Sequence, residues 1–134
     1  LIVGLYIGLL AFAIFYWLHV ALGYAPEAAR NITLLFMICF HNVHTLNCRS
    51  ERRSIFAIPL RANPFLVWGV VAAQSVHIAA MYIPLTERVL EIAPVSLREW
   101  AMVLTLATSV IVVCELYKLV VVRPRLRETK TAAK

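Results

Sequence analysis

The sequence predicts an all-α integral membrane segment of four helices with both termini on the cytoplasmic side. Three observations carry this. Of the 134 residues, 62% are hydrophobic and only 15% are charged, against a soluble norm nearer half apolar. The charges are segregated: residues 1–26, 31–48, 62–86 and 100–114 hold none, and a bilayer core is crossed by about 20 mostly apolar residues in helical form. Finally, strict apolar/polar alternation is missing and there are six prolines and four glycines, which argues against a membrane barrel and for helices that satisfy their own backbone groups in lipid.

The first helix is expected over residues 1–23. Leu1 opens directly on an apolar run, with no basic flank and no small-residue cleavage site. A signal peptide is therefore not expected, and the chain reads as starting inside a larger protein. Gly4 and Gly8 have the spacing that lets membrane helices approach closely. Tyr16, Trp17 and Tyr24 collect at the far end, where aromatics suit the membrane interface, and His19 reads as interfacial.

The second helix is expected over 29–48. Its first half is apolar and its second half holds His41, Asn42, His44, Thr45 and Asn47. A loop containing Arg49, Arg52, Arg53, Arg61 and Pro59 follows. Asn63-Pro64 opens the third helix, expected over 64–83, because proline fits a first helical turn. Gly69, Ala72, Ala73, Ala79 and Ala80 make this a small-residue helix. Between residues 85 and 95, Leu85, Val89 and Ile92 sit at helical spacing among Glu87, Arg88 and Glu91, which predicts a short amphipathic piece on the membrane surface. Ser96-Leu97-Arg98-Glu99 reads as a capping box opening the fourth helix, expected over 97–122 with Trp100 at the interface. A basic cytoplasmic tail is expected over 123–134.

Ten of the thirteen Lys and Arg residues fall on the side shared by the 49–63 loop and the tail, which the positive-inside rule assigns to the cytoplasm. The net charge of +6 then faces anionic lipid headgroups, and no nucleic acid partner is expected. The three cysteines fit no paired framework. Cys39 and Cys114 read as small hydrophobes within apolar runs.

All seven acidic residues are Glu, and there is no phosphate-binding glycine loop or nucleotide motif. No enzyme activity is expected of this chain alone. At about 100° per residue, His41, His44, Thr45 and Cys48 share one helical face. Polar groups within a span usually face a bundle interior or an aqueous path, so His41, His44 and Thr45 are candidates for an ion path. Hydrogen bonding between helices is the plainer alternative. A metal site would want a fourth ligand, which the sequence does not supply, and none is expected. Gln74 and His77, one turn apart, read as structural polar groups that pair across helices. Glu115 and Lys118 read as an i,i+3 pair, with Lys118 able to snorkel to the cytoplasmic interface.

The order of short motifs along the chain is similar to that in one family. Leu46-Asn47-Cys48-Arg49-Ser50-Glu51 leads to Asn63-Pro64, then to Tyr82-Ile83-Pro84. Pro94-Val95-Ser96-Leu97 precedes Trp100, and Glu115-Leu116-Tyr117-Lys118 closes the series. Over residues 1–122 this resembles the C-terminal membrane region of calcium-type and related P-type cation-transporting ATPases. The resemblance implies that these helices are the family's seventh to tenth. It implies that the phosphorylated Asp, the ATP and Mg sites and most ion ligands lie in other parts of a parent pump. It also implies that His41 occupies a position where several members place an acid or amide toward the ion. Calcium prefers oxygen ligands and an imidazole titrates near neutrality, so the cation is left open, a proton included.

On this reading the chain is a membrane support module that braces the transporting helices and lends one polar side chain to the ion path. Its partners are the lipid bilayer, the remaining helices and cytoplasmic domains of the pump, and the transported cation. The isolated segment is expected to self-associate, and the cell (plasma) membrane is the expected location. Two other classes stay open on the residues alone: a small bundle binding haem through two of His19, His41, His44 and His77, or a soft metal through His41, His44 and Cys48, and a plain membrane anchor or assembly subunit.

Overall fold

The computed structural model describes residues 2–50, 54–122 and 124. Residues 51–53 of the basic loop, and the tail from 123 onward apart from Pro124, lie outside the described residues. Among those described, the structure is helical with no strand. Helix α1 spans Ile2–Tyr16 and continues as a π-helical turn, Trp17–Ala21. Helix α2 spans Pro26–Asn47. Two short 3-10 turns, Ile55–Ala57 and Leu60–Ala62, lead to α3, Pro64–Ala80. Helix α4, Pro84–Leu90, is a short piece, and α5, Leu97–Tyr117, ends in a second π-helical turn, Lys118–Val122.

Local chemistry sets these boundaries. Gly23, at a φ of +70°, takes the left-handed conformation that closes α1, a position where a Cβ would be strained. Helix α2 starts at Pro26, three residues before the expected start at 29, because proline's fixed φ and missing N–H cost nothing in a first turn. Asn63 caps α3 by accepting the Leu66 N–H at 3.1 Å. Helix α3 stops at Ala80 rather than the expected 83. Ile83 precedes Pro84 and is held extended (φ −90°, ψ 118°), since the proline ring clashes with a helical residue before it. The capping box of α5 is formed in full: Ser96 Oγ accepts the Glu99 N–H at 3.3 Å, and the Glu99 carboxylate accepts the Ser96 N–H at 2.6 Å.

The packing centres on α2, which lies chiefly against α5 and also against α1 and α3. Buried positions recur at i, i+4, i+7 and i+11 on both flanking helices: Ile7, Ala11, Ile14 and Leu18 on α1, and Val103, Ala107, Val110 and Cys114 on α5. That spacing is the seam of a left-handed helix pair. Both stripes close on Ala29, Ile32, Leu35, Phe36, Cys39 and Phe40 of α2. A hydrogen bond between the Tyr6 and Ser109 hydroxyls, 2.7 Å, ties α1 to α5. No residue of α3 is buried; Phe65 and Trp68 are 88% and 70% exposed.

Among the described residues, two units are long and apolar enough to cross a membrane alone, Ile2–Ala21 and Leu97–Val122. The pair Pro64–Ala80 and Pro84–Leu90 qualifies jointly but is bent by 89°, because α4 turns away at the Pro84 break. Helix α2 fails on apolarity and not on length: its 22 residues reach about 33 Å at 1.5 Å per residue. Asn47 is buried and Asn42, His44 and Thr45 are partly covered by neighbouring helices, whereas His41 is exposed. Ile2 and Val3 line one cavity with Val113, Cys114 and Tyr117, so the start of α1 and the end of α5 share one end of the bundle. The Gly4 and Gly8 pair expected to promote close approach meets nothing: a Cβ at either would have no neighbour within 4 Å.

Replacing the fully buried Phe36 by Ala should cost about 2 kcal/mol, the cavity term without a water-transfer term, because lipid is itself apolar. Phe65→Ala should be neutral by comparison. Thermal denaturation in detergent, measured for both variants, checks the difference.

Candidate functional site: the polar edge and polar end of α2

The last two turns of α2 carry the polar side chains, and the packing of α2 divides them into an outward edge and an inward end. His41 lies on the outward edge. It is exposed, and its Nδ1 donates to the Met37 carbonyl one turn back at 2.7 Å, while Nε2 has no hydrogen bond among the described residues. Thr45 is half-buried. His44 is half-buried and turned toward α5: its Nε2 lies 3.4 Å from Cys48 Sγ and its Nδ1 lies 3.8 Å from Cys114 Sγ. The three ion-path candidates thus share a helical face but not an environment. His41 faces away from this bundle, whereas His44 packs within it. Among the described residues, no group of three or more His, Cys, Asp or Glu is arranged to hold a metal ion.

The inward end is organised by Lys118. Its Nζ donates to Asn47 Oδ1 at 2.9 Å and to Glu115 Oε1 at 3.2 Å, and the residue is only 6% exposed. Glu115 Oε1 also accepts the Ile55 N–H at 3.0 Å. The expected Glu115–Lys118 pair is therefore present and is more than a surface i,i+3 contact. It is a node where α2, α5 and the loop after α2 meet. Lys118 does not snorkel to solvent; its charge is held inside by an amide and a carboxylate, as a buried ammonium needs. Arg49 extends the node, with its guanidinium donating to the carbonyls of Leu46 (2.8 Å) and Pro59 (2.9 Å). Asn47 was not expected to take part. Its position three residues after His44, at the very end of the helix, was the available signal.

Gln74 lies where α3 crosses α2. Its Oε1 accepts from Asn42 Nδ2 at 2.9 Å and from the Cys39 thiol at 3.7 Å. The amide pairing across helices is thus made with Asn42. The Nε2 atoms of Gln74 and His77 are buried without a hydrogen-bond partner among the described residues.

At the opposite end, the connection between α4 and α5 is fastened to the start of α2. Arg30 and Glu91 form an exposed ion pair, and Asn31 Nδ2 donates to the Ala93 carbonyl at 2.8 Å. Glu91 takes a left-handed conformation (φ 52°), which ends α4 and drops Ile92 into the core. His19 Nδ1 donates to the Tyr24 carbonyl at 2.9 Å.

Removing Glu115 takes a partner from the buried Lys118 ammonium, so Glu115→Gln alone should destabilise by about 3 kcal/mol. The double variant Lys118→Met with Glu115→Gln should recover part of that loss. Detergent melts of the single and double variants check this.

Comparison with known proteins supplies the context for this arrangement. The family model described as "Cation transporting ATPase, C-terminus" matches residues 1–120. The chain is similar to the endoplasmic reticulum calcium ATPase srcA of Aspergillus fumigatus, 29% identical over 92 residues, covering 69% of this chain and 10% of that protein. It is similar to calcium-transporting ATPase 4, endoplasmic reticulum-type, of Arabidopsis thaliana, 30% identical over 69% of this chain and 9% of the relative. A probable cation-transporting ATPase F of Mycobacterium bovis is 26% identical over 68% of this chain and 10% of its own length. The chain thus spans about a tenth of the length of these relatives. A match over 120 consecutive residues, on an all-helical chain with long apolar helices, shows that this chain belongs to the C-terminal membrane family of the cation-transporting ATPases.

Proposed function

We propose that this chain is the support module of an ATP-driven cation pump, bracing the ion-transporting helices and presenting His41 of α2 to the ion path. The single observation that carries the reading is the two-sidedness of α2. One side is sealed against α1 and α5 by Phe36, Phe40 and Leu35, all fully buried. The other carries His41, which is exposed and whose Nδ1 is bonded within its own helix. A polar group on the outer surface of a membrane helix is costly unless a polar partner or an aqueous path covers it. In a family whose members move cations, further helices of the same pump are the natural cover. The bracing role is supported by the Lys118 node, which fixes the end of α2 to α5 and to the following loop.

Orientation follows from charge. With the Lys118 end and the arginines of the following loop in the cytoplasm, both ends of the segment face inward. Catalysis, ATP and Mg belong to the remainder of the pump. The exposed surfaces of α1 and α3 would be covered by its other helices, and in the isolated segment by a second copy. The cell membrane is our placement of the parent protein. Relatives named for the endoplasmic reticulum make an internal membrane the competing outcome of fractionation. An imidazole in place of an oxygen donor favours a proton or a cation other than calcium at this position.

In the full-length protein, His41→Ala should weaken apparent cation affinity about tenfold, the equivalent of roughly 1.4 kcal/mol, with expression and detergent stability unchanged. Cation-dependent ATP hydrolysis across a cation titration measures it. Unaltered affinity and turnover would leave α2 as a scaffold alone and support the anchor reading.

A further inference from the structure

Where the end of α1 meets the start of α5, a cavity of about 380 Å³ opens between the two helices. Its apolar lining is Trp17, Leu18, Leu22 and Met102, and Tyr24, Arg98 and Glu99 supply the polar groups. The cavity sits at the end of the bundle opposite the Lys118 node, at the level where Trp17, Tyr24 and Trp100 mark a membrane interface. It is thus a mainly apolar groove with two charged residues in its lining.

The charges at the mouth are not spent on each other. Arg98 is exposed and has no hydrogen bond or ion pair among the described residues. Glu99 gives one carboxylate oxygen, Oε2, to the Ser96 N–H in the capping box. Its other oxygen, Oε1, stays available. A guanidinium fork matches a phosphate by paired N–H donors, and a carboxylate oxygen accepts from an ammonium. A cation and an anion on adjacent residues, above an apolar groove, therefore complement a ligand with a phosphate, a neighbouring primary ammonium and hydrocarbon chains.

We propose that this cavity is a binding site for a phospholipid of the phosphatidylethanolamine class, with phosphate on Arg98, ammonium on Glu99 and the start of one acyl chain along Trp17, Leu22 and Met102. Headgroup selectivity comes from Glu99. The ethanolamine ammonium has three N–H donors for a carboxylate oxygen, whereas the trimethylammonium of phosphatidylcholine has none. The occupant would wedge α1 against α5 at the end of the bundle that lacks the Lys118 node.

The test is native mass spectrometry of the full-length protein released from nanodiscs containing equal amounts of phosphatidylethanolamine and phosphatidylcholine. One retained phosphatidylethanolamine per chain is expected, at about five times the phosphatidylcholine adduct. Arg98→Gln should reduce that adduct about tenfold. Met102→Trp, which fills the groove and leaves both charges, should also remove it. Equal retention of the two lipids, or an adduct indifferent to Arg98→Gln and Met102→Trp, would overturn the proposal and mark the lipid as part of the general annulus.

Discussion

The rest of the structure depends on one constraint: α2 is too polar to stand in lipid by itself and must be enclosed by its neighbours. Among the described residues, six of the sixteen core positions lie on α2, more than on any other helix, and the stripes of α1 and α5 close on it. The helix that is least suited to a membrane by composition is consequently the one that organises it. This inverts the usual assembly of membrane bundles, in which each helix is stable in lipid before packing. Here the packing partner is part of what makes the central helix tolerable.

The two ends of α2 are secured differently, and the difference follows from chemistry. At the Lys118 end, a buried ammonium is shared between Asn47 and Glu115, and the same carboxylate holds the backbone of Ile55. Dehydrated contacts of this kind resist salt and hold one geometry. At the Arg30 end, the ion pair with Glu91 has both side chains more than half exposed, and exposed pairs of this kind contribute about 0–1 kcal/mol. Most of the fixing there comes from the buried Ile92 and Asn31. The Lys118 end is therefore the stiffer one. The proposed bracing role would draw on rigidity there, beside the polar turns of α2.

Much of this was legible in the sequence because it rests on periodic or local rules. Charge segregation gave the long helices, Asn63-Pro64 the start of α3, and Ser96 with Glu99 the capping box. The amphipathic residues after Pro84 gave α4. What was not legible depends on which faces meet. The sequence spacing placed His41, His44 and Thr45 on one face, but only the packing of α5 on α2 separates them, with His44 beside Cys114 and His41 exposed. Asn42 and Asn47, which pair with Gln74 and Lys118, looked no different from their polar neighbours. The two π-helical turns, at Trp17 and Lys118, have no sequence mark either. The glycine pair in α1 promised a contact that this segment does not make on its own.

The central claim is that the outward edge of α2 borders a cation-accessible path in the assembled protein. Thiol labelling reads this directly: His41→Cys, in a full-length background whose native cysteines are replaced, is exposed to a small water-soluble maleimide with and without the transported cation. Labelling that the cation suppresses, beside an inert control at Phe36→Cys, is the predicted result. A cysteine at position 41 as unreactive as the one at position 36 under both conditions would contradict the account.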